Sequence, residues 1–358
     1  MRVSSLGPIL ENSYQIQAMQ SQMNQLTTEI SSGRSANSMG PLGAKAALLY
    51  QLHAQSDQQT NLQTTVTNTL NQLDAVQSAM TSIGTAVQTV ATDAINDTDT
   101  TTDGPTVLAT EAQSAMSQVV GLLNTQYEGN SLFAGDATNV AAMQQPDAAN
   151  GPAATMNSIL SAAVGAKGGP LSQSDIDNLV NGTDGIASVF NDSNSNPAMN
   201  YTGTFYTGST DNKPNTVLVG TGQTMQYNVS ANQPAFRDLM QGLSMLSLLN
   251  APSSQLDDSA KAELQSQGSA LINKAQSELT TQQGLLGVTQ ASLQNLANDQ
   301  QSAANATQAQ ILTYEQANTT QDSTTLAALQ AQLQASFQIT AEISQMSLTS
   351  YLQTVGGA

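Results

Sequence analysis

From Leu62 to Ala94 the chain sets an apolar or small side chain every three or four residues without a miss: Leu62, Val66, Thr69, Leu73, Val76, Met80, Ile83, Val87, Val90 and Ala94. Steps that alternate between four and three average close to one α-helical turn, so the ten residues share one stripe of a helix. A single helix from Ala44 to Ile95 would be roughly 78 Å long at 1.5 Å per residue. A cylinder of that length cannot cover its own apolar stripe, and the remainder of the chain must supply helices to pack on it.

Shorter seams flank this run. Ile16, Met19, Met23, Leu26 and Ile30 repeat the same spacing, and Gly33 can end their helix, with Asn37 to Gly43 (NSMGPLG) as an irregular connection. After the polar Asn96 to Gly104 stretch, Pro105 opens a helix to about Tyr127 with Leu108, Ala112, Ala115, Val119 and Leu122 on one face. Asn232 as a cap and Pro234 as an early helical proline start another, carrying Phe236, Leu239, Met240, Leu243 and Leu246. A Gln-rich helical stretch follows from about Asp257 to Asn318, weakened at Gly284 and Gly287. A final helix bears Leu326, Leu329, Leu333, Phe337, Ile343 and Met346 and ends at Gly356 and Gly357.

Between Gly135 and Asn232 the texture changes to frequent Gly, Pro and Asn with short apolar runs. Thr155 to Val164 and Asp175 to Val180 read as short helices; Tyr201 to Thr207, Thr216 to Val219 and Thr224 to Val229 read as strands. The last two alternate and are joined by Gly220-Thr221-Gly222, a hairpin signal. The fold class is therefore mainly α: a long antiparallel coiled-coil stalk of paired N- and C-terminal regions with a small α+β outer domain inserted. The expected division is 1–43 and 319–358 as the two parts of a terminal coiled coil, 44–135 and 233–318 as the two parts of a helical stalk, and 136–232 as the outer domain.

Composition narrows the function. Trp is absent, with five Phe and eight Tyr in 358 residues, which suits slender helices meeting through small side chains. Acidic residues number 26 against 8 Lys and Arg, a formal charge of −18, so nucleic acid is excluded as a main partner and anionic membranes are repelled. No run of about 18 apolar residues exists to span a bilayer, and MRVSSLGPILENSYQIQ has neither the apolar core nor the cleavage site of a signal peptide. Without Cys there is no disulfide framework, thiolate site or cysteine nucleophile.

Chemistry-bearing motifs fail on inspection. His53 is the one histidine and sits in the long helix beside Leu48, Leu49 and Leu52, with no second imidazole for a metal and no nucleophile elbow for a triad. Asp97, Asp99, Asp103 and Gly104 resemble a calcium loop only in part. Thr102 stands where the loop needs Gly, and Leu108 where it needs a bidentate Glu. GTGQTM at Gly220 lacks the last glycine of a dinucleotide fingerprint and precedes a strand. Asn181, Asn200 and Asn228 begin Asn-x-Ser/Thr triplets of the kind a chain this rich in Asn and Thr produces by chance. No cofactor, metal or catalytic residue is assigned, and the chain is not expected to be an enzyme.

The local motifs add a resemblance. Leu26 to Arg34 (LTTEISSGR) looks like the end of the first helix in the flagellin superfamily, and Leu326 to Leu352 is similar to that family's last helix. Together the resemblance covers about the first 135 and last 120 residues. Within the superfamily, Gly129 to Gly135 (GNSLFAG) is similar to the Leu-Phe-Ala-Gly or Ile-Phe-Ala-Gly segment of hook-associated protein 3, the subunit that joins hook to filament, as is the Ser347 to Leu352 ending. Asn37 to Gly43 departs from the pattern by lacking its Asp-Asp pair.

The resemblance implies an extracellular subunit of the bacterial flagellum, exported unfolded through the flagellar type III system without a cleaved signal peptide and attended by a chaperone on the C-terminal helix. It implies a homo-oligomer in a helical tube, with hook-associated protein and flagellin subunits as neighbours. The residues expected at the assembly interface are Ile16, Met19, Met23, Leu26, Ile30, Leu326, Leu329, Leu333, Phe337, Ile343 and Met346. A filament flagellin is the alternative within the family. A secreted coiled-coil adhesin is the alternative outside it, and it predicts ordered termini and no polymer.

Overall fold

The computed structural model describes residues 6–35, 44–96, 104–149, 151–211, 213–220 and 222–355. The expected connection Asn37–Gly43 and the partial calcium loop Asp97–Asp103 lie outside the described residues, as does Thr221 in the hairpin turn. The structure is mainly α: α1 (Leu6–Ser32), α2 (Ala44–Asn96), α3 (Gly104–Leu123), α4 (Pro152–Lys167), α5 (Gln173–Asn181), α6 (Ile186–Phe190), α7 (Tyr201–Thr204), α8 (Pro234–Ser247), α9 (Asp258–Glu315) and α10 (Thr319–Val355). Two short antiparallel hairpins accompany them, β1 (Gln126–Tyr127) with β2 (Asn130–Ser131), and β3 (Asn215–Gly220) with β4 (Gln223–Tyr227).

The chain divides into two compact units, residues 1–61 with 300–358, and residues 62–299; α2 and α9 contribute to both. In the larger unit the α2 stripe is buried from Val66 through Ala94. Leu108, Ala112, Ala115 and Val119 of α3, all five apolar residues expected of α8, and Leu264, Ile272, Leu279, Leu286 and Leu293 of α9 join it in one core. Each large aliphatic side chain so buried contributes about 1.5–3 kcal/mol of transfer free energy.

Polar side chains fix how α9 lies along α2. The amides of Gln276, Gln283 and Gln290 donate to Gln88 Oε1 at 3.5 Å, Thr81 Oγ1 at 3.3 Å and Asp74 Oδ1 at 2.7 Å. Donors ascend in steps of seven while acceptors descend in steps of seven, so the helices run antiparallel in a heptad register. Gln265 Nε2 extends the contact to the Ala94 carbonyl at 3.0 Å. Helix α8 crosses α9 at two glycines. A Cβ at Gly242 would stand 2.7 Å from Ile272 Cγ1 and 2.9 Å from the Gly268 carbonyl, closer than packed atoms allow.

Several expectations are corrected in this unit. The helix from Pro105 ends at Leu123, and Tyr127 belongs to β1, where Glu128 and Gly129 at φ 50° and 82° make a tight two-residue turn. Tyr201 to Thr207 is not a strand. Tyr201 and Phe205, one helical turn apart, stack at 5.6 Å, and Thr202 donates to Asp192 Oδ1 from both its amide and its hydroxyl, which winds α7 instead. Asn232 does not cap α8, whose N-cap is Gln233; its carbonyl and side-chain oxygens accept from Arg237. Arg237 also pairs with Asp192 at 2.7 Å and lies 4.7 Å from the Tyr201 ring, tying α6, α7 and α8 together. The hairpin β3–β4 forms as expected, with an irregularity between Leu218 and Gly220. Gly284 and Gly287 leave α9 unbroken.

At the start of α5, the Ser172 amide and hydroxyl both donate to Asp175 Oδ2, and Lys167 pairs with the same oxygen. The Lys167 hydrogen bond first, then Ser172, lowers the Asp175 carboxyl to about 2.

Candidate assembly interface

In the smaller unit the terminal helices pair with one another. Asn12 Nδ2 donates to Thr340 Oγ1 at 2.6 Å near one end; at the other, Ala317 N–H donates to the Gly33 carbonyl at 3.0 Å and Ser35 N–H to the Glu315 carbonyl at 2.8 Å. Partners thus descend on α10 as they ascend on α1, so the pair is antiparallel. Gly33 takes φ 68°, the left-handed region that lets the chain leave α1 into this clasp.

Glu315 closes the clasp. An acidic residue in the last turn of α9 faces the negative end of the helix dipole, which costs stability unless cations answer it. Here His53 Nε2 lies 2.9 Å from Oε1 and Arg34 Nε 3.7 Å from Oε2. Leu49, Leu52 and Ile311 form a small buried cluster in the same unit. His53 therefore works in a hydrogen-bonded cluster with an apolar neighbourhood. No group of three or more His, Cys, Asp or Glu among the described residues is placed to hold a metal ion.

The expected interface residues fall into three sets. Leu26 and Leu329 are buried, and Ile16, Met19, Met23, Ile30, Leu326 and Leu333 are half-buried, so these eight are brought together in the α1–α10 pair. Phe337 is not in the seam. From Leu333 the inward face passes to Ser336 and Thr340, both half-buried, and Phe337 remains 50% exposed. The side chains of Ile343 and Met346 lie outside the described residues.

The sequence pattern missed what the pair leaves uncovered. Leu10 and Tyr14, one turn apart on α1, are 52% and 70% exposed, and Ile339 on α10 is 52% exposed. At 100° per residue, Phe337 and Ile339 flank the Ser336–Thr340 seam on either side. The Leu10–Tyr14 spacing was the one signal that could have exposed this second face.

Residues 3–138 match the bacterial flagellin N-terminal helical region, a likeness that covers the N-terminal part of the chain. No curated protein matches the sequence. Among solved structures, a protein assigned as a flagellar hook-associated protein from Vibrio parahaemolyticus is similar over 75% of this chain and 99% of its own, at 16% identity and a TM-score of 0.36. No helix among the described residues is long and apolar enough to cross a membrane.

Proposed function

We propose that this chain is a hook-associated protein 3-like subunit that joins hook to filament by helical self-assembly of its α1–α10 pair. The observation that carries the reading is the unfinished burial of that pair: its seam is at best half-buried outside Leu26 and Leu329, and Leu10, Tyr14, Phe337 and Ile339 keep half or more of their surface in water. Two helices offer too little surface to bury large residues on every side, and neighbouring copies complete the packing. The junction role, over the filament, is supported by the Gly129 to Gly135 segment. Its Leu132, Phe133 and Ala134 are buried and Phe133 packs edge-on against Phe236 at 5.8 Å.

In this reading residues 136–232 face solvent, the subunit's neighbours in the tube are hook-associated proteins and flagellin, and a chaperone covers the C-terminal helix before type III export. The inward-facing residues, from Ile16 to Ile30 and from Leu326 to Leu333, order the subunit; the uncovered side chains, Phe337 among them, contact its neighbours.

The test combines limited proteolysis of the monomer with seeded assembly. Loss of roughly the first and last 40 residues, survival of the middle, and addition of intact chain to purified hook ends are the expected results. Elongation into long filaments from filament fragments assigns a flagellin instead. Protease-resistant termini with no assembly on any seed leave the adhesin.

A further inference from the structure

A groove in the larger unit is lined by residues that play no part in the assembly reading. Its floor is one face of α2, with Asn68, Thr69 and Gln72; its walls are the β1–β2 turn and the first residues of the β3–β4 hairpin. The cavity measures about 460 Å³, within the roughly 300–1,000 Å³ of small-molecule sites.

The lining has a distinct chemistry. Hydroxyls and carboxamides dominate, the half-buried rings of Tyr127 and Tyr227 stand in the walls, and Glu128 is the only Asp, Glu, Lys, Arg or His there. With no cation in the lining, a phosphate or carboxylate finds no counter-charge, and the chain's charge of −18 repels anions at long range. The small apolar share gives little for a hydrocarbon or an amphipathic helix to bury. Amides and hydroxyls donate and accept at once, and so do the hydroxyls of a sugar.

Two polar groups are placed for a visitor. Ser131 is 2% exposed, yet its Oγ has no hydrogen-bond partner among the described residues, a condition buried hydroxyls rarely keep. The Tyr227 hydroxyl meets Gln72 Oε1 only at 3.4 Å, the outer limit of a hydrogen bond, which leaves the amide able to turn to a closer partner. Glu128 at φ 50°, where the tight turn favours Asn or Gly, carries a carboxylate at the groove's rim able to accept from vicinal hydroxyls.

We propose that this groove binds a neutral oligosaccharide, its hydroxyls paired with Ser131, Asn68 and Gln72 and a sugar face lying against the tyrosine rings. Full-length chain is applied to an array of immobilised neutral, sialylated and sulfated glycans, and the strongest neutral binder is then titrated by calorimetry. Neutral glycans retained and anionic ones passed over are expected, with Ser131→Ala and Gln72→Leu each weakening the titrated affinity about fivefold, the value of one hydrogen bond. Asn68→Leu, at an exposed position where folding is indifferent, should weaken it similarly, with circular dichroism and the thermal midpoint unchanged. Retention of no neutral glycan, preference for anionic ones, or equal affinity in all three variants overturns the proposal. So does cross-linking of a photoreactive group at position 68 to a second copy of the chain, which assigns the groove to protein.

Discussion

The α1–α10 pair and the α2–α9 pair are built on the same spacing of apolar residues, yet they end in different states. Along α2 the stripe from Val66 to Ala94 is buried, because α3, α8 and α9 all join its core. Along α1 only Leu26 of the five seam residues is buried, with α10 as its partner and large side chains left in water beside it. Periodicity states that a helix needs company; the number of partners decides whether the need is met within one chain. The larger unit is complete as a fold, whereas the smaller one is complete only as a pairing.

The contrast can be broken from either side. Phe133→Ala removes a fully buried ring and its edge contact with Phe236, and should cost about 3–5 kcal/mol, read as a lowered chemical-denaturation midpoint. Gly242→Ala forces a methyl group into Ile272 and the Gly268 carbonyl and should cost about 2 kcal/mol in the same assay. Leu329→Ala, in the terminal pair, should cost at most about 2 kcal/mol, the low end for Leu to Ala, while sharply reducing addition to hook ends. A large loss of monomer stability with assembly intact would reverse the comparison.

Smaller effects sharpen it. Gly287→Ala places a methyl where no heavy atom lies within 4 Å, inside a continuous helix, and should stabilise by about 0.5–1 kcal/mol, opposite in sign to Gly242→Ala. Asp175 supplies the acid-side test. Its carboxyl is held at about 2 when folded, below the ordinary 3.8, so its stabilisation is full above about pH 4 and lost as pH falls towards 2. Asp175→Asn should lower the thermal midpoint at neutral pH and flatten its fall over that window, so that variant and parent converge towards pH 2.

Much of this was legible because helices write their partners into a local period. The α2, α3 and α8 faces, the stop at Gly33 and the β3–β4 hairpin follow from spacing and turn residues alone. Tyr201 to Thr207 was misread because aromatic and β-branched residues favour strands, while the cue that decides it, Tyr201 and Phe205 one turn apart, is two residues long. The Arg237 cluster was not legible, since nothing local links Asp192 to a guanidinium 45 positions away. Phe337 lies outside the α1–α10 seam because steps of three and four from Leu333 are both helical; Ser336, a polar residue, holds the inward place. Gln276, Gln283 and Gln290 carried a seven-residue signal all along, submerged in a segment where glutamine is common.

That ladder of glutamines makes the α2–α9 contact behave like meshed teeth. A slip by one or two residues would carry every donor away from its acceptor and turn the apolar stripe out of the core. A slip by seven, about 10 Å of travel, brings Gln283 to Gln88 and Gln290 to Thr81 and restores two of the three contacts. Under axial pull the two helices therefore have no continuous path of creep; they hold one setting, and the next lies a full heptad away.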